Sequence, residues 1–133
     1  MNDILLLIGR VLVALLFLMT AWTLAPNAGY LTSLNVPAPS IFTWVALAVE
    51  FVIVISLVLG WETRWGALLG VAYVIVATAF AHRYWEYTGP AAGIQYQNFT
   101  KNLAILGAFI LLYAAGPGAY SVDGMRRRNH AAG

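Results

Sequence analysis

Four apolar stretches divide the chain, at about residues 4–24, 40–59, 64–82 and 99–115, and polar residues collect between them. Each is close to the ~20 residues that a helix rising ~1.5 Å per residue needs to cross the hydrocarbon core of a bilayer. The pattern predicts an all-α polytopic membrane protein: a four-transmembrane-helix bundle forming a single membrane domain over residues 1–133, with a basic C-terminal tail from 119 to 133. Composition agrees, since 62% of residues are hydrophobic and only 9% charged, against roughly a quarter charged in a soluble domain.

Local signals set the boundaries. Asn2 and Asp3 are acceptable caps for the first helix, and Pro26 cannot continue it. The uncharged loop NAGYLTSLNVPAP follows, Ser40 caps the second helix, and Gly60 ends it in the left-handed conformation that glycine favours. The short turn WETR makes helices two and three a tight antiparallel hairpin. Helix three runs out through AHRYWEYTGP into a second loop of about fifteen residues, where Tyr84, Trp85 and Tyr87 form an interfacial aromatic belt. Helix four ends at the GPG of Gly116 to Gly118.

Charge then gives orientation. Arg64, Arg126, Arg127 and Arg128 fall on one side and Arg83 and Lys101 on the other, so the positive-inside rule places both termini in the cytoplasm. The arginine run reads as a topology signal, with anionic lipid head groups or nucleic acid as the alternatives; no nucleic-acid partner is expected. A cleaved signal peptide is the other reading of the N-terminus. It is disfavoured by Asp3, by Arg10 within the apolar run and by the lack of a small-x-small cleavage site.

An ionisable residue at the centre of a spanning helix costs roughly 2.5–3.5 kcal/mol on the insertion scale. Glu50 sits in such a place, on a stripe with Ala46 and Thr43 whose small side chains turn it toward the bundle. Arg10 shares its stripe with Ala14 and Ala21, and helix three carries Gly66, Gly70, Tyr73, Ala77 and Ala81 at spacings of three and four. The G-x-x-x-G of Gly66 and Gly70 reads as close helix packing. Helical rise puts Arg10 roughly 10 Å, Tyr73 about 14 Å and Glu50 about 15 Å from the inner ends of their helices. The three are therefore expected to meet around a buried Arg10–Glu50 pair, which either fixes helix register or handles protons.

A second polar set lies at the outer end. His82, Tyr84 and Trp85 close helix three, and Gln95, Gln97, Asn98, Lys101 and Asn102 open helix four, with Lys101 about 5 Å below the surface and able to snorkel outward. An aromatic-lined pocket holding His, Tyr, Lys and a buried carboxylate suits the two carbonyls of a quinone and the protons it exchanges. With no cysteine, the chain cannot form a disulfide, a thiol redox centre or an iron–sulfur cluster. Because His130 lies in the tail, His82 has no second histidine within the membrane, so neither haem nor metal is expected.

These segments resemble the DoxX family of small four-helix bacterial membrane proteins. The likeness is carried by LLLIGRVLVALLFLMTA, AVEFVIVISLVLGWETRWGALLG, AHRYW and, most specifically, QNFTKNLAILGAFILLYAAGPGAYSVDGMRRR. It implies a multi-pass protein of the bacterial cytoplasmic (inner) membrane that serves as the membrane subunit of a quinone-linked oxidoreductase. The family's characteristic polar residues map to Arg10, Glu50, Arg64, His82, Asn98, Lys101 and Asn102. One departure is TAWTLAPN, where members often carry a glycine and a lysine. Related MauE-type proteins work in thiol–disulfide chemistry, which a chain without cysteine cannot perform alone.

The combined expectation assigns proton handling to Glu50, Arg10 and Tyr73, and a quinone site to His82, Tyr84, Trp85, Asn98, Lys101 and Asn102. Electrons would come from another membrane or redox subunit; membrane lipid is the other partner, and self-association is compatible with the sequence. Two alternatives are a non-catalytic accessory subunit packed against a larger membrane complex and a small proton pathway or transporter. The latter is disfavoured by the absence of broken central helices.

Overall fold

Hydrocarbon offers a peptide group no hydrogen-bond partner, so a chain this apolar satisfies its backbone within helices. The computed structural model describes residues 2–24, 29, 31 and 38–131. Within them Asp3–Leu24 forms α1, Pro39–Leu59 α2, Thr63–Ala81 α3, Gly89–Ala115 α4 and Val122–Ala131 the short α5; there is no strand among the described residues. Helices α1 to α4 are each long and apolar enough to cross a membrane.

The helices pack in chain order, α1 on α2, α2 on α3 and α3 on α4, while α1 and α4 meet across a slighter seam. The core is a thin column of Ala14, Phe17, Ile53, Leu57, Ala67, Val74, Phe109 and Leu112. Leu12, Trp44, Phe51 and Leu111 are among the large apolar side chains exposed around it. Lipid is as apolar as these side chains, so the bundle is held by close packing and polar contacts rather than by hiding them.

Glycines show how that packing is achieved. A Cβ on Gly66 would strike the Ser56 side chain of α2, and one on Gly70 would strike the Phe109 ring of α4. The G-x-x-x-G thus brings α3 close to two different neighbours. Gly60 ends α2 with φ 65°, and its N–H donates to the Ser56 carbonyl, the left-handed finish expected of it.

Two boundaries differ from the apolar pattern. Helix α4 starts at Gly89, with Pro90 in its first turn, rather than at residue 99. Hydropathy marks where a helix enters lipid, whereas Gly89, at φ 61°, and the Pro90 ring, already set at a helical φ, mark where it begins. At 27 residues it is about 40 Å long, against a hydrocarbon core of about 30 Å. The second loop accordingly shrinks to a 3-10 turn, Tyr84–Glu86, with two linking residues on either side. The basic tail is in large part helical as α5, folded onto the ends of the other helices. Pro26 and most of the first loop lie outside the described residues.

Replacing Gly70 by alanine is expected to lower stability by about 1–3 kcal/mol, because a methyl group is forced against a packed ring. The same change at Gly107, which faces open space, should be close to neutral; thermal unfolding in detergent compares the two.

Candidate functional site

Glu50 is turned into the bundle by its helix and is 3% exposed. Its Oε1 accepts a 2.5 Å hydrogen bond from the Tyr73 hydroxyl of α3 and a 3.3 Å bond from the Thr20 hydroxyl of α1, while Oε2 has no partner among the described residues. The Phe17 ring lies against Tyr73 at 5.9 Å and against Phe109 at 5.4 Å, so a chain of three aromatic rings runs from the Tyr73 hydroxyl's own ring through α1 to α4. The expected meeting of Glu50 with Tyr73 is present. Thr20 had no signal in the sequence beyond being a hydroxyl in an apolar helix.

Arg10 is not part of this cluster. It is 1% exposed, its Nη2 donates to the Tyr120 carbonyl at 2.5 Å, and its guanidinium fills the space that a side chain on Gly60 would take. The rise along α2 from Glu50 to Gly60 is ~15 Å, which removes the expected Arg10–Glu50 pair. The expectation measured depth from each helix's own inner end, as though all inner ends lay at one level. Helix α1 starts lower: Asp3 Oδ1 accepts the Ala119 N–H at 2.8 Å, beyond the α2–α3 turn.

That end of the bundle is tied by Asp123, at the start of α5. Its carboxylate accepts the N–H groups of Glu62 at 3.0 Å and Thr63 at 2.9 Å, and its own N–H donates to the Gly60 carbonyl at 3.0 Å. Glu62 stands at φ 48° and offers no side-chain cap to α3, so a residue some sixty positions later supplies the carboxylate that a helix N-terminus favours. Ser121 pins the turn, its hydroxyl donating to the Gly118 carbonyl and accepting the Gly124 N–H at 2.9 Å. Burial works against the charged form of Asp123, but the Thr63 and Glu62 N–H groups outweigh it and hold the carboxyl below its usual range.

At the opposite end His82 Nδ1 lies 2.9 Å from Gln95 Oε1, and Asn102 Nδ2 donates to Thr78 Oγ1 at 2.9 Å, two bridges between α3 and α4. The Tyr84 ring meets Trp85 at 5.2 Å and Tyr96 and Phe99 at 5.3 Å. Of the expected outer set, His82, Tyr84 and Trp85 gather here. Asn102 is engaged by Thr78, and Lys101 lies on the exposed face of α4, bonded to Asn98 at 3.2 Å. With α4 starting at Gly89, Lys101 stands about 18 Å along its helix. Among the described residues no three His, Asp or Glu side chains gather as a metal site would require.

The depressed Asp123 pKa gives a signed expectation. A carboxyl whose folded pKa lies below its unfolded value adds stability above the unfolded pKa, near 4, and that stability is lost as pH falls through the folded pKa. Asp123→Asn should cost about 0.5–2 kcal/mol at neutral pH, the usual cost of a lost helix cap. Its unfolding curve should also depend less on pH below about 4 than that of the parent protein.

The sequence pattern of the DoxX family matches residues 5–83. The inner membrane protein YphA of Escherichia coli (strain K12) is 38% identical over 126 residues, covering 92% of this chain and 90% of that protein. The inner membrane protein YqjF of the same organism is 30% identical over 127 residues, covering 92% of each. No solved structure matches the chain. With four spanning helices and this likeness along nearly its whole length, the chain belongs to the DoxX family and is a multi-pass protein of the bacterial inner membrane.

Proposed function

We propose that this DoxX protein is the membrane-integral subunit of a quinone-linked oxidoreductase, contributing a proton-handling carboxyl and a quinone-binding surface while a partner subunit supplies electrons. The observation that carries this reading is Glu50, which lies deep in the bundle with Oε1 held by Tyr73 and Thr20 and Oε2 unpartnered. Ionisable groups at that depth are costly and mark proton or substrate paths. Oε2 takes up and releases a proton while Tyr73 keeps the carboxyl in place. Arg10 serves the opposite purpose of anchoring an end, and the basic residues at that end support a cytoplasmic side for it and for α5.

The quinone surface is His82 with Tyr84 and Trp85. Facing the Gln95 amide oxygen, His82 Nδ1 carries the proton, so Nε2 is left as an acceptor with no partner among the described residues. A bound quinone would supply the two-electron, two-proton chemistry that this chain lacks. His82 takes a proton from a quinol hydroxyl at Nε2, and the Tyr84 and Trp85 rings, packed on each other just after it in the chain, offer flat apolar faces. Asn98, Lys101 and Asn102 flank this surface on α4, with Lys101 and Asn98 joined on its exposed side.

The two bridges between α3 and α4 favour a second reading, a non-catalytic accessory subunit. Polar groups that satisfy one another across a helix pair are what packing alone requires. Quinone content separates the two. Protein purified in mild detergent should carry quinone, His82→Ala should lose most of it with helical content unchanged, and Glu50→Gln should keep the quinone while slowing turnover with the native partner. A parent protein free of quinone, or one whose quinone survives His82→Ala, leaves the accessory reading in place.

A further inference from the structure

The end of the bundle that carries α5 has a cleft of about 530 Å³, lined by α1 at Asp3 and Leu6, by Ala115 and the turn after α4, and by α5 at Arg127 and Arg128. Its charge is mostly uncommitted. Asp3 is spent on the Ala119 N–H, and Arg126, outside the cleft, pairs with Glu62 at 3.8 Å. Arg128 reaches the Ala119 carbonyl only at 3.4 Å, and Arg127 has no bonded partner among the described residues. Two guanidinium groups, each with donors to spare, thus line a cleft whose remaining walls are largely apolar or backbone.

The cleft lies between the start of α1, at Asp3 and Leu6, and the end of α4, at Ala115, two helices that meet across only a slight seam. Leu6, Gly9, Val13 and Phe17 follow one another along the α1 face on that side, and a Cβ on Gly9 would meet nothing within 4 Å. The seam closes where Phe17 meets Phe109, about 16 Å above Leu6 by helical rise. That is close to half of a ~30 Å hydrocarbon core, the depth of one leaflet. We propose that this cleft and seam form a binding site for one anionic phospholipid, its phosphate held by Arg127 and Arg128 and an acyl chain lying between α1 and α4 as far as Phe17. Charge selects the head group, since guanidinium forks suit phosphate oxygens and juxtamembrane cations favour anionic lipid. The open seam selects a lipid over free phosphate.

Native mass spectrometry of the full chain in neutral detergent tests the site, using phosphatidylglycerol and phosphatidylcholine with identical acyl chains. Phosphatidylglycerol should be retained about tenfold or more over phosphatidylcholine, and R127Q/R128Q should remove that preference. The double variant R83Q/K101Q, at the opposite end and equal in charge change, should keep it. Leu6→Trp, which fills the cleft without altering charge, should lower retention of both lipids. Circular dichroism checks that each variant stays folded. Equal retention of the two lipids would overturn the site. So would equal loss in R83Q/K101Q, undiminished retention in Leu6→Trp, or displacement of the lipid by glycerol phosphate at comparable concentration.

Discussion

A hydrocarbon solvent makes no hydrogen bonds, and every polar group that this chain carries into the membrane must find its partner within the bundle. That constraint explains the unequal use of its helices. The column of apolar core residues is thin, and much of the specificity falls to a few polar clusters at different depths: Arg10 under the Tyr120 carbonyl, Glu50 against Tyr73 and Thr20, and the Thr78–Asn102 and His82–Gln95 bridges. Each cluster joins segments from different helices, so each fixes a depth and a rotation that apolar packing in lipid leaves loose.

The clusters differ in how completely their members are satisfied. The bridge between Thr78 and Asn102 pairs a donor with an acceptor, as a structural contact should. Glu50 leaves one oxygen without a partner, and Arg10 leaves Nε and Nη1 so, despite their burial. For Arg10 the carboxylate of Asp123 lies near enough to act on it electrostatically. For Glu50 no cation is at hand among the described residues, and a hydroxyl pair holds the carboxyl instead.

Much of this was legible in the sequence, and the failures share a cause. Small residues beside Glu50 and Tyr73 correctly turned both toward the interior, and Gly60, Gly66 and Gly70 marked the turn and the close approaches. These are periodic features, carried by one helix at a time. The Arg10–Glu50 pair failed because depth along a helix says nothing about where that helix starts relative to its neighbours. The start of α4 was hidden because the polar residues from Gln95 to Asn98 extend a helix beyond the apolar run. Asp123 looked like one charge in a basic tail; its role rests on a contact with α3 that no local pattern encodes.

Asp123 also has a bearing on the order of assembly. A chain is made from its N-terminus, and segments fold as they emerge. The first turn of α3 is capped only by Asp123, since Glu62, left-handed at φ 48°, offers it no side-chain bond. Arg10, made far earlier, waits for the Tyr120 carbonyl. Both contacts await the segment from Gly118 to Gly124, so this end of the bundle is tied only by the last part of the chain to be made, while the clusters at greater depth need none of it.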